Sequence, residues 1–173
     1  MRTLLFTGGT GHLGRIVVER LSPSYECVVL GRNEAPDLDR AYGVLHLAGA
    51  FALGSNVEIF NSMLDANLLS AVRAIEPLRA NIEDGGRIVA ISSFASRTMP
   101  AGFAAYAAAK AALNAYIEVL AKELQPRRIA VNALLPSTLG PTGVPYERVA
   151  DAIAFLLSEA AAPVTGQLIA MTL

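Results

Sequence analysis

Close to its N-terminus the chain runs from a short apolar strand straight into glycines and then into a helix, and few folds accommodate that order. Arg2–Phe6 is the strand, and Gly8, Gly11 and Gly14 follow as Gly-x-x-Gly-x-x-Gly. Gly14–Leu21 then reads as a helix ending before Ser22-Pro23. A strand turning tightly into a helix is the first half of a βαβ unit, which implies a parallel sheet covered by helices. Glycines at this turn also let the backbone approach a pyrophosphate at the helix N-terminus. A Lys-Ser/Thr phosphate loop is excluded, because Arg15-Ile16 occupies the required positions.

The second informative stretch is Gly86–Leu124. Arg87–Ile91 (RIVAI) is a buried-type strand ending on Ser92-Ser93, and Phe103–Leu124 is an Ala-rich helix carrying Tyr106 and Lys110. At i and i+4 these two side chains share a helix face, about 5–6 Å apart at Cβ. Proton transfer by a phenol at neutral pH asks for a shift of roughly 3 units, about 4 kcal/mol. One ammonium at about 4 Å in a dielectric near 20 supplies about that much. Tyr-x-x-x-Lys alone is equally what an ordinary amphipathic helix offers; the strand-end serine and the N-terminal glycine loop give it weight.

Thr7-Gly8-Gly9-Thr10-Gly11-His12-Leu13-Gly14, Leu47-Ala48-Gly49, Asn67, Ser92-Ser93, Tyr106-Ala-Ala-Ala-Lys110 and Val131-Asn132-Ala133-Leu-Leu-Pro136 occur in this order along the chain. Together they resemble the short-chain dehydrogenase/reductase family. The glycine spacing departs from the common Gly-x-x-x-Gly-x-Gly and looks more like the extended and NmrA-like branches. The resemblance implies a three-layer α/β/α Rossmann-like sandwich with a mainly parallel, doubly wound sheet of about six strands, one domain over residues 1–173. It implies a catalytic set in which Tyr106 gives a proton to a carbonyl oxygen and Ser93 hydrogen-bonds that oxygen. Lys110 would bind the ribose and lower the Tyr106 pKa, while Asn67 opens its helix (Phe60–Leu78) and anchors a relay water. For the cofactor it implies contacts from Gly8, Thr10, Gly11, His12, Leu13, Gly14, Ala48, Gly49, Tyr106, Lys110, Pro136, Thr138 and Leu139.

The second strand, Glu26–Leu30, leads into Gly31-Arg32-Asn33. An acidic group here suits a ribose 2′-hydroxyl and an arginine a 2′-phosphate, so Arg32 favours NADP(H) over NAD(H). Glu34 nearby is the opposing signal, and a solvated loop arginine is the plainer reading. His46, at the end of the third strand (Gly43–Leu47), reads as a packed or semi-exposed residue rather than an acid–base group.

Relative to the family the chain is short in two places. Only Arg32–Tyr42 separate the second and third strands, whereas a helical crossover alone takes a dozen or more residues. Extended, the segment reaches roughly 36–40 Å, enough to pass the first strand (about 10 Å) and return along about 17 Å of strand. The sheet therefore loses an outer strand, and Cys27–Leu30 becomes an edge. Farther on, after Arg128–Leu134, the substrate-covering segment shrinks to Gly140–Pro145 before the helix Glu147–Leu157 and a last strand, Leu168–Met171.

Composition excludes other classes. With 14 basic and 15 acidic residues, nothing points to a nucleic-acid or membrane-surface partner. The lone Cys27 cannot form an internal disulfide. The piece Thr3–Phe6 is too short for a signal peptide, and a soluble cytoplasmic protein is expected. No metal site is expected. The reading is an NADP(H)-dependent carbonyl reductase or alcohol dehydrogenase acting on a small molecule; the alternative is a non-catalytic NAD(P)-binding regulatory protein on a trimmed scaffold. A homodimer or homotetramer is expected through alanines 104, 105, 108, 109 and 112 of the Tyr106 helix.

Overall fold

The computed structural model describes residues 1–31, 34 and 36–172. Strands β1 (Arg2–Thr7), β2 (Tyr25–Leu30), β3 (Ala41–His46), β4 (Ile82–Ile91), β5 (Ala130–Pro136) and β6 (Leu168–Met171) form one sheet in the order β2-β1-β3-β4-β5-β6. Every pairing in it is parallel. The helices are α1 (His12–Leu21), α2 (Val57–Leu64), α3 (Ser70–Ile75), α4 (Ala95–Thr98), α5 (Ala104–Leu124) and α6 (Tyr146–Leu157).

Side-chain alternation along the strands divides the core into two layers. Leu4, Phe6, Leu45, Val89, Ile91 and Leu134 pack toward α1 and α6. Leu5, Val44, Ile88, Ala90, Val131 and Ala133 pack toward α3 and α5. Full burial of a Val, Leu or Ile side chain stabilises by about 1.5–3 kcal/mol, so strands apolar on both faces can only sit between helical layers.

The sheet grows away from β1 in both directions. Thr7 aligns with Leu30 of β2 and with His46 of β3, and His46 with Ala90 of β4. The turns after these strands therefore share one edge, and the crevice outside β1 and β3 is a topological switch point, where open α/β sheets bind ligands.

The abbreviated crossover behaves as its length requires. The chain leaves β2, passes β1 and enters β3, and β2 is an edge. Leu38, half-buried, packs with Val28 and Leu30 where a crossover helix would otherwise lie. Asn81 Nδ2 donates to Leu38 O at 2.9 Å and pins this covering stretch.

Several element boundaries differ from expectation for local reasons. Gly11 is the N-cap of α1, which starts at His12 instead of Gly14. The next helix starts at Val57 instead of Phe60, because the Asn56 side chain caps it by accepting from Ile59 N at 2.8 Å. β4 begins at Ile82, the register shifting between Ala41 and Gly43 of its partner. β5 begins at Ala130 rather than Arg128, which takes a left-handed φ of 57° after the Gln125–Arg127 turn. The alanine stripe of α5 is also divided. Ala105 and Ala109 are buried against Met63 of α2 within the subunit, while Ala104 and Ala108 face outward.

Candidate active site

The glycine turn after β1 is shaped by backbone proximity. Gly8 has φ +71°, and a Cβ there would stand 2.5 Å from Ala48 N. A Cβ at Gly14 would run into Gly8 O and Gly9 Cα. Gly11 N donates to Gly8 O at 3.1 Å, closing the turn onto the N-terminus of α1. That helix has no side-chain cap and no acidic residue in its first turn. Its positive end is thus left for an anion, and the cradle fits the pyrophosphate of a dinucleotide. Thr10 and His12 are exposed, Leu13 and Gly14 buried, and the His12 ring lies edge-on to Tyr146 at 4.4 Å.

Lys110 descends from α5 into the crevice and is only 3% exposed. Its Nζ donates to Ile91 O at 2.9 Å, at the end of β4. Burial lowers its pKa to about 8. Tyr106, one turn earlier, presents its ring 5.9 Å from that ammonium. Burial pushes the phenol pKa up, and the Ser93 hydroxyl pulls it part of the way back. Burial is thus the largest influence on the phenol here, where the sequence-based expectation gave that place to Lys110. The ammonium, 5.9 Å from the centre of the Tyr106 ring, is turned to the Ile91 carbonyl. Ser93 Oγ accepts from Ala95 N at 3.2 Å, which leaves its O–H to donate elsewhere.

Asn67 lies in a π turn, Asp65–Leu69, between α2 and α3, so the helix does open where the resemblance implied. Its Nδ2 donates to Ala50 O at 2.9 Å and Met63 O at 3.0 Å, and its Oδ1 accepts from Ala50 N at 3.2 Å. A Cβ at Gly49 would stand 2.8 Å from Asn67 Oδ1 and 3.2 Å from Lys110 Nζ. The glycine keeps open the space between that acceptor and that donor. Beyond β5, Pro136 O accepts from Phe94 N at 2.9 Å and Thr138 O from Val144 N at 2.8 Å, drawing 138–144 into a tight turn with Leu139 half-buried. The structure thus brings Asn67, Gly49, Lys110, Tyr106 and Ser93 to one crevice, with the glycine turn at its side. Arg32 lies outside the described residues. Near it, the Glu34 carboxylate accepts from Gly31 N at 2.6 Å, so an acidic group does stand at the end of β2.

The family model for short chain dehydrogenase matches residues 43–151. The chain belongs to the short-chain dehydrogenase family. The 3-oxoacyl-[acyl-carrier-protein] reductase FabG of Aquifex aeolicus (strain VF5) is 37% identical, over 96% of this chain and 84% of that protein. An uncharacterised oxidoreductase of Methylorubrum extorquens is 31% identical over 65% of this chain and 55% of its own length. The chain thus spans about half the length of the first relatives it matches. Among solved structures, BdcA in complex with NADPH superposes with a TM-score of 0.85 at 22% identity, covering 98% of this chain and 92% of that one. Among the described residues, no helix is long and apolar enough to cross a membrane.

Two buried networks in this short-chain dehydrogenase escape sequence reasoning. Asn114, one turn beyond Lys110, donates from Nδ2 to Ser96 Oγ at 2.8 Å, and Ser96 Oγ donates to Ser93 O at 2.6 Å. Asn114 thereby holds the backbone of Ser93. Its place at Tyr106 plus eight, on the same helix stripe, is the one signal the sequence carried. The second network runs through His46, which is fully buried. Thr7 Oγ1 lies 2.7 Å from His46 Nδ1 and accepts from Ala48 N at 3.4 Å. Ser70 Oγ donates to Ala66 O at 2.7 Å and lies 3.5 Å from His46 Nε2. With Ser70's hydrogen committed, its oxygen can only accept, which assigns the imidazole proton to Nε2. His46 is packed, one of the two placements its sequence context suggested.

Burial first, and the Lys110 charge second, lower the His46 pKa to about 3 from 6.5. Between those values the unfolded chain binds a proton that the folded one refuses. Stability is therefore complete above about pH 6.5 and is lost as pH falls toward 3, by about 5 kcal/mol in full. His46→Asn, which removes the titrating ring, is expected to flatten this acid slope. Urea midpoints at pH 7 and 4.5 check it; equal losses in variant and wild type would assign the acid sensitivity elsewhere.

Proposed function

We propose that the chain is an NADP(H)-dependent carbonyl reductase or alcohol dehydrogenase acting on a small molecule. The observation that carries this reading is the meeting of Ser93, Tyr106 and Lys110 beside the glycine turn. The Tyr106 phenol, kept protonated at neutral pH by burial, donates its proton to the carbonyl oxygen during reduction. The Ser93 O–H, left free by the Ala95 contact, hydrogen-bonds the same oxygen as charge develops on it. Lys110 supplies the compensating charge and donates to ribose hydroxyls, and the space at Gly49 accommodates a water between Lys110 and Asn67. Gly8, Gly11 and Gly14 with the α1 N-terminus hold the pyrophosphate, and Ala48, Pro136, Thr138 and Leu139 border the rest of the dinucleotide. The bound nicotinamide supplies the hydride.

Preference for NADP(H) is supported by Arg32, two residues beyond β2 in the sequence, and by the NADPH bound to a protein of the same fold. Glu34, on Gly31 N, favours the 2′-hydroxyl cofactor instead. A second reading, a dinucleotide-binding regulatory protein without turnover, draws on the tight 138–144 turn that stands where a substrate lid would lie.

Three outcomes are expected. Tyr106→Phe should cut kcat for NADPH-linked reduction at least about a hundredfold while leaving NADPH affinity within about twofold; retention of most of kcat would remove Tyr106 from the reaction. In calorimetric titration NADPH should bind more tightly than NADH, and Arg32→Ala should narrow that gap; equal affinities in wild type would leave Arg32 no 2′-phosphate to recognise. Finally, the protein should be a homodimer or homotetramer built on the outward face of α5, where Ala104 and Ala108 lie. Ala108→Glu places two like charges across a two-fold contact and should yield a folded, smaller species by light scattering and circular dichroism. A wild-type monomer at micromolar concentration would refute that assembly.

A further inference from the structure

The site described above has a wall that no step of the proposed chemistry uses. Phe51, in the segment after β3, and Phe103, at the N-cap of α5, close on the Tyr106 ring. The Phe51–Phe103 centroids are 5.1 Å apart at 50°, Phe51–Tyr106 5.0 Å at 85°, and Phe103–Tyr106 6.4 Å at 70°. Phe51 is nevertheless 54% exposed, and its neighbours Leu53 and Met99 are 60% and 56% exposed. The two segments are tied where Gly54 N donates to Gly102 O at 3.2 Å. An apolar surface is thus continuous with the phenol that faces Ser93.

The loops that form it carry no charge. Residues 47–57, 99–105 and 136–145 include no Asp, Glu, Lys, Arg or His. Arg97, on the short helix α4 between two of these segments, donates to Leu168 O at 3.0 Å, at the start of β6. A charged substrate group against these loops would lose hydration and find no partner in them, the Lys110 ammonium being turned to Ile91 O. A flat apolar group would instead offset-stack on the open Phe51 ring or meet it edge-on.

We infer that the substrate is a neutral aryl aldehyde or aryl ketone, its ring held against Phe51 and Phe103 and its carbonyl oxygen directed to Tyr106 and Ser93. This rests on the reductase reading and deepens it by naming the substrate class; Phe51 is its specificity determinant.

Two measurements separate this inference from the reading beneath it. The first is turnover with NADPH on benzaldehyde, 4-carboxybenzaldehyde and butanal. The expected kcat/KM favours benzaldehyde over both others by tenfold or more, and Phe51→Ala should lower the benzaldehyde-to-butanal ratio about tenfold, the size of one lost ring contact with its buried area. Phe51→Tyr should restore the ratio.

The second uses amides that cannot be reduced. Saturation-transfer NMR, with and without NADPH, compares benzamide, 4-carboxybenzamide and isobutyramide. Benzamide should bind, the anion and the aliphatic amide should bind at least tenfold more weakly, and Phe51→Ala should abolish the difference. If no carbonyl is turned over but benzamide still binds through Phe51, the reductase reading fails and the ring site stands. Equal binding of the three amides, or an unchanged preference in Phe51→Ala, overturns the inference. So does a drop in oligomer mass in Phe51→Ala together with no benzamide binding to wild type, which would show that a second copy covers the wall.

Discussion

Everything at the crevice depends on one cation placed where water scarcely reaches. The Lys110 ammonium is enclosed by α5, the end of β4 and the turn after β3, and its recorded hydrogen bond goes to Ile91 O. An ammonium so placed is costly, and its lowered pKa is that cost expressed as a proton affinity. The surroundings answer with oriented oxygens rather than a carboxylate, which leaves the charge for whatever enters. It also explains the character of its neighbours. Asn67 uses both ends of its amide on Ala50, fixing the turn that roofs the lysine. His46 stays neutral beside the charge, its two nitrogens between hydroxyls. Gly49 is a glycine because any Cβ would occupy the space between Asn67 and Lys110.

The parts of this arrangement that could be read from sequence are those governed by local periodicity or short spacing. Tyr106 and Lys110 share a face because they are four residues apart on a helix; Ser93 stands at a strand end because Arg87–Ile91 is apolar and β-branched. The loss of an outer strand followed from the number of residues between β2 and β3. What stayed hidden joins distant positions. Asn114 reaches Ser96 across 18 residues, and Thr7 meets His46 across 39. Hydrogen-bonded pairs of this kind have no period to detect, and buried polar residues resemble surface ones in a single sequence.

The phenol illustrates a different gap. Charge arithmetic from sequence supplied a neighbouring ammonium of adequate strength, yet could not supply its direction. In the folded chain the ammonium turns to a carbonyl, burial becomes the dominant influence on Tyr106, and the group remains an acid. The alanines of α5 show the same limit: composition marked them as small, but only packing decides that Ala105 and Ala109 serve α2 while Ala104 and Ala108 are left outside.

The short crossing between β2 and β3 has a consequence for local opening. β2 has one hydrogen-bonded partner and no fully buried residue, whereas β3 lies between β1 and β4 with all six residues buried. Free energies of partial unfolding follow such differences, so amide exchange should be faster in the edge strands β2 and β6 than in β3 and β4. In the proposed function the end of β2 is where the two dinucleotides would be told apart. On that reading cofactor choice falls to an edge strand that opens readily, while the crevice of Ser93, Tyr106 and Lys110 is built on the inner strands.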